Sequence, residues 1–244
     1  MKFQVTMHIG VAGILLAPVL ATAGDKPAAG KMVDSGSFGV FLNGRRIATE
    51  TFSIQQNANG SVATSQFKTE EDKAAQSSEL QLTPTGEIRK YEWKELSPGK
   101  AQATVAPSNE FLMERSSRGP DEKPDELPFL LPASTSIIDD YFFIHREILV
   151  WRYLAAACKQ EKGATQCPAN QKTQFGTMNP HQRSSQPLSV EFSGRDKIAI
   201  RGTEQELNKF VLRSEGGDWT MWLDDQFKLQ RIVIASDNTE VLRD

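Results

Sequence analysis

SIIDDYFFIHREILVWRYL, residues 136–154, decides how this sequence is read. It is the densest apolar stretch beyond the N-terminal segment, yet it carries Asp139, Asp140, His145, Arg146, Glu147 and Arg152. Ser136 with Asp139 three residues on resembles a helix cap after Pro132, and apolar residues recur at Ile137, Tyr141, Ile144, Ile148, Trp151 and Ala155. These steps of four and three put six side chains on one helical face, flanked by Ile138, Phe142 and Leu149. Asp139, Asp140, Arg146 and Glu147 gather on the other. The spacing therefore predicts an amphipathic helix over about 136–155, with a solvated charged face. Charges at its centre exclude a membrane span, since each is costly in lipid. An apolar face that wide needs a broad apolar surface beneath it.

The rest of the chain supplies a sheet. In SFGVFLNGRRIATETFSI, Phe38, Val40 and Leu42 alternate, and Asn43-Gly44 provides the positive φ angles of a type I′ turn. The return strand places Ile47 opposite Val40. The apolar parity then changes to Phe52 and Ile54, which calls for a bulge or bend. SVATSQFKT, SSELQLT, EIRKYEWKEL, KAQATVAP and EFLMERS follow as polar-rich strands with sparse alternating apolar residues, a meander with one face on a core. Residues 117–135 carry prolines at 120, 124, 128 and 132 and read as an irregular or extended crossover. Beyond the helix, LSVEFSGRDKIAIRG reads as a hairpin turning at Gly-Arg-Asp, and ELNKFVLRS, DWTMWLDDQFKLQRIVIAS and TEVLRD continue the meander.

The expected fold is mainly β: one curved antiparallel sheet, a half-barrel or open barrel, with one principal α-helix covering its concave face. Residues 36–244 make this single domain. The start, MKFQVTMHIGVAGILLAPVLATAGDK, has a lysine, a short apolar run and Ala21-Thr22-Ala23, the order of a secretory signal cleaved after residue 23. Its apolar run is short of a membrane span. Residues 24–35 are small and polar, a flexible leader. The expected location is exported, periplasmic or extracellular, with no transmembrane segment in the mature chain.

Composition bounds the partners. The chain has 28 Lys and Arg against 31 Asp and Glu, a net charge of −3, and removal of residues 1–23 makes it one unit more acidic. That surface offers no footprint for nucleic acid. The two cysteines, Cys158 and Cys167, bracket a polar loop in CKQEKGATQCP, and in an oxidising compartment they are expected to form a disulfide that staples it. The spacing is not that of a metal or redox pair.

Motifs for chemistry are absent: no GxSxG elbow, no glycine-rich phosphate loop and no HExxH. No catalytic residue, metal ligand or cofactor is assigned. A catalytic use of Asp139, Asp140 and His145 is disfavoured, because the aspartates fall on the polar face and the histidine at the apolar edge. The candidate ligand-contacting residues are Tyr141, Ile144, Ile148 and Trp151 on the helix.

Two stretches carry a resemblance. FGVFLNGRRIATETFSI resembles the opening of a group of exported bacterial proteins of unknown function with a curved antiparallel sheet, although Ala48 stands where that pattern has glycine. WTMWLDDQFKLQRIVIASDNTEVLRD is similar to their closing strands. Those proteins are in turn similar to the half-barrel of the periplasmic lipoprotein carriers, in which a helix plugs the concave face. The resemblance implies fold and compartment and transfers no ligand residues. The leading expectation is a non-enzymatic binder of an apolar or amphiphilic ligand, such as a lipid or acylated segment. An envelope scaffold that binds another polypeptide is the alternative, and a secreted hydrolase the third reading.

Overall fold

The computed structural model describes residues 30–244 other than Asp72 and Pro120. The expected signal segment 1–23 and the leader to residue 29 lie outside the described residues. In chain order the strands are β1 (Lys31–Leu42), β2 (Arg45–Asn57), β3 (Gly60–Thr69), β4 (Ala75–Leu82), β5 (Ile88–Ser97), β6 (Gln102–Ser108), β7 (Phe111–Ser117), β8 (Asp125–Phe129) and β9 (Ser136–Ile137). Helix α1 (Ile144–Ala157) follows, then β10 (Lys159–Glu161), β11 (Ala164–Gln166), β12 (Lys172–Asn179) and β13 (Ser184–Ile200). β14 (Thr203–Ser214), β15 (Gly217–Leu223), β16 (Leu229–Ile234) and β17 (Thr239–Arg243) complete the chain.

All strands but β10 and β11 join one sheet, in the order β8-β7-β6-β5-β4-β3-β2-β1-β17-β16-β15-β14-β13-β12-β9. Two meanders thus meet where β1 pairs with β17, Val40 opposite Val241. Every pairing is antiparallel except the short one between β9 and β12. The sheet is not closed into a barrel, since its edge strands β8 and β9 do not pair with each other.

Local chemistry explains the register. Asn43 (φ 51°) and Gly44 (φ 77°) make the tight turn between β1 and β2. Val40 pairs with Ala48 rather than with Ile47 as expected, because Ile47 is the extra residue of a bulge. Beyond that bulge Ala48, Glu50, Phe52 and Ile54 all face the core.

Four expectations need correction. Residues 31–35, assigned to the leader, are the start of β1 paired with β2. The crossover 117–135 contains the edge strand β8, where Pro128 is tolerated because the β8 edge has no further neighbour among the described residues. β13 is one unbroken strand: Gly194 (φ 98°) forms a bulge within it, and the turn lies at Arg201 (φ 50°) and Gly202 (φ 79°). The helix begins at Ile144 and not near 136, since Ser136 and Ile137 pair with β12 as β9.

One core contains Ile144, Ile148, Leu149, Val150 and Tyr153 of α1 together with Phe52, Leu80, Tyr91, Val190, Phe210, Met221 and Ile232 of the sheet. Cys158 and Cys167 form the expected disulfide, with Cα atoms 4.3 Å apart, closing the small β10–β11 hairpin. No helix among the described residues is long and apolar enough to cross a membrane.

Candidate functional site

Asp139, Arg146 and Glu147, expected on a solvated face, are all buried. The reason lies in distant partners. Glu50, turned inward by the Ile47 bulge, accepts the N–H groups of Phe143 (2.7 Å) and Ile144 (3.3 Å) and the hydroxyl of Ser65 (2.6 Å). It is the cap of α1, taking up donors that Phe143, with no side-chain bond of its own there, cannot satisfy. Burial pushes the Glu50 carboxyl up to about 7, against the opposing pull of Ser65, the two amides and Arg146.

Asp139 organises the turn before the helix. Its Oδ1 accepts the Tyr141 N–H (3.0 Å), while Oδ2 accepts the Tyr91 hydroxyl (2.6 Å) and meets His181 Nδ1 (2.6 Å). Burial works against its ionisation, but the hydrogen bonds it accepts from His181 and Tyr91 hold the pKa below the usual carboxylate range. His181 stacks on Trp93 at 4.0 Å, and its Nε2 meets Gln76 Oε1 at 2.7 Å. An Asp–His pair is half of a general-base arrangement, but here the outer nitrogen is engaged by an amide and not by a hydroxyl or thiol. The disfavoured catalytic set is therefore not assembled: Asp139 bonds His181, and His145 is a separate buried ring. Burial drives the His145 pKa down to about 3, so it sits neutral beside Tyr91 and Phe142.

At the other side of the helix start, Glu147 accepts the Leu229 N–H at 2.6 Å, and burial pushes its carboxyl well above the usual range. Asp34 lies close by and is gripped by both terminal nitrogens of Arg243, at 2.9 and 2.7 Å. That grip outweighs desolvation and keeps Asp34 low.

Arg146 is 1% exposed. Its guanidinium lies over the Trp219 ring, 4.4 Å from the centroid. Nη1 donates to the carbonyls of Asp139 and Phe142, the latter at 3.0 Å. Nε has no hydrogen-bond partner, and none involves Nη2 among the described residues. Burial lowers its pKa to about 10, which leaves it charged at neutral pH.

Arg146 lines a cleft of about 270 Å³ with Ile138, Leu188, Leu212 and Trp219 as its apolar surfaces, and with Asp140, Gln182 and Gln186 also along it. By contrast, the space bordered by Ile148, Leu149, Leu80 and Leu82 under the helix is about 10 Å³, room for about one water. The four helix residues expected at a ligand site do not converge on one space. Ile144 and Ile148 lie in the core. Trp151 is half-buried and donates its indole N–H to the Phe227 carbonyl at 2.7 Å. Tyr141 stands at the surface against Phe67 and His181.

Comparison with family models, with characterised proteins and with solved structures finds no match to this chain. The site is therefore read from its own chemistry. Sequence reasoning missed Glu50, Arg146, His181 and Trp219 as members of one locality. A signal was present for one of them: once parity shifts at Ile47, Glu50 falls on the apolar side of β2, between Ala48 and Phe52. A charged residue on a core-facing position marks a buried partner elsewhere.

Proposed function

We propose that the protein is an exported, non-enzymatic carrier of an amphiphilic ligand, built as a half-barrel with α1 over its concave face and binding at the Arg146 cleft. The observation that carries this reading is the cleft itself, in which apolar surfaces of Ile138, Leu188, Leu212 and Trp219 adjoin one buried charge. The rest of the lining is polar, with Thr177, Asn179, Gln182, Gln186 and Ser214, so the cleft is amphiphilic; at about 270 Å³ it lies just below the usual range of small-molecule sites.

The curvature rests on a length argument. His145 contacts Tyr91 of β5, and Tyr153 contacts Phe210 of β14, at ring distances of 5.5 and 5.8 Å. Those strands stand eight spacings apart in the sheet order, which on a flat sheet is about 38 Å. The two helix residues are only about 12 Å apart along the axis. A sheet wrapped around the helix reconciles the two lengths. Export is supported by the signal-like start and by the disulfide.

The test is binding of N-phenyl-1-naphthylamine, a neutral apolar probe, to the full chain without its first 23 residues. Saturable binding is expected, and Trp219→Ala, at a part-exposed position on the cleft wall, is expected to weaken it several-fold while circular dichroism reports an intact sheet. Ile148→Ala, on the core-facing side of α1, is expected to lower stability by about 2–4 kcal/mol and leave probe affinity unchanged. Absence of saturable binding by the unsubstituted protein overturns the carrier reading.

A further inference from the structure

Resting on that reading, the geometry of Arg146 points to the chemical class of the ligand: we infer that the cleft takes an amphiphile with a carboxylate head, held side-on by the Nε–Nη2 edge. Nη1 is committed to the carbonyls of Asp139 and Phe142. The remaining in-plane edge is Nε, which is buried and has no partner, together with Nη2. Two parallel N–H groups on one edge match the two oxygens of a carboxylate. Trp219 takes up the face of the guanidinium and not its edge, so the aromatic contact and the head-group contact do not compete.

Charge narrows the class further. A phosphate also fits a guanidinium edge, but Asp140 lines the same cleft, and Asp139 and Glu50 are the carboxylates whose fields reach Arg146 from within the fold. Each negative charge brought in meets repulsion from these carboxylates, so a monoanion is favoured over a dianion. The hydrocarbon chain then lies along Ile138, Leu188, Leu212 and Trp219. A free fatty acid and the C-terminal carboxylate of an apolar peptide present the same chemistry to this edge.

Isothermal titration of the full chain without its first 23 residues, at pH 7, with decanoate, decanol and decyl phosphate tests the inference. Decanoate is expected to bind about tenfold more tightly than decanol, and more tightly than decyl phosphate. Gln186 is exposed and lines the cleft, so Gln186→Glu adds a negative charge without disturbing the core. That variant is expected to weaken decanoate about threefold or more and to leave decanol unchanged. Arg146→Lys, with its fold checked by circular dichroism, is expected to reduce the preference for decanoate, since the ammonium keeps the charge but offers no pair of parallel N–H groups. A leucine-rich tripeptide with a free C-terminus, titrated alongside its amide, distinguishes a peptide end from a fatty acid as the source. Either source binding through its carboxylate supports the inference. Equal affinity for decanoate and decanol, or tighter binding of decyl phosphate, overturns the carboxylate head while the carrier reading stands. Failure of all three ligands and of the naphthylamine probe overturns both.

Discussion

A methyl group at Gly60 would stand 1.9 Å from the carbonyl oxygen of Leu82, on a backbone already at φ +132°. No rotation relieves that contact, because the obstructing atom belongs to the neighbouring strand. Gly44 differs: its φ is +77°, and nothing lies within 4 Å of an added methyl group. Gly44→Ala should therefore cost about 1 kcal/mol, the strain of a left-handed residue alone. Gly60→Ala should cost about 3 kcal/mol or more. Urea midpoints of the two variants check the difference, and equal shifts would mean that β3 and β4 do not approach as described. Of these two glycines only Gly44 was legible in the sequence. Asn43-Gly44 is a local signal, complete within the turn it forms, whereas the demand on Gly60 comes from a carbonyl on another strand. The same divide separates Cys158 and Cys167, whose pairing follows from a short polar loop, from Arg146, whose burial follows from Trp219 and two carbonyls.

Helix α1 is the element whose start is least local. Its apolar face follows the 3.6-residue period of the sequence, but the first turn is set by a carboxylate on β2. Residues 136–143 are apolar enough to continue the helix, yet β12 takes Ser136 and Ile137 into the sheet, and Asp139 folds the chain back on itself. Nothing within the stretch marks that stop. The arrangement makes the helix sensitive to pH. Glu50 has a pKa of about 7 when folded against an ordinary 4.5, so between these values the folded chain holds the extra proton and stability falls as pH rises. Glu114, also raised to about 7, and Glu147, raised well above the usual range, act with the same sign. His145, lowered from 6.5 to about 3, acts oppositely over that interval. Asp34 and Asp139, both lowered, stabilise above their ordinary range and lose that contribution on acidification. Three carboxyls outweigh one imidazole, so the melting temperature is expected to peak near about pH 5 and to decline toward pH 8. In Glu50→Gln the decline should be shallower, since the amide keeps an acceptor for a helix N–H but cannot ionise. An unchanged slope in a melting series over that range would sink the assignment of Glu50 as the titrating cap.

At the scale of the whole molecule, the two ends of the sheet are linked through side chains. Arg183, in the turn between β12 and β13, reaches Asp125 of β8 at 2.6 Å and Glu114 of β7 at 3.3 Å. His181 from the same turn reaches Gln76 of β4. Arg183→Ala should leave the buried Glu114 carboxyl without its cation. The expected loss is about 1–2 kcal/mol, reduced because Arg183 is one-third exposed. Hydrogen exchange should quicken in β8 and remain slow in β1 and β17. Unchanged exchange in β8 would show that the edge is held by other means. The place of β1 has a further consequence. It lies in the middle of the sheet, with Phe38 opposite Arg243 and Leu42 opposite Thr239, while each meander on either side pairs mostly strands adjacent in sequence. Made from its N-terminal end, the chain carries β1 with one bare edge until its last strand emerges. A naked strand bearing Phe38 and Val40 is a template for another nascent chain. The pairing of β1 with β17 joins residues about two hundred positions apart, a sequence separation that slows folding and lengthens the exposure of that edge.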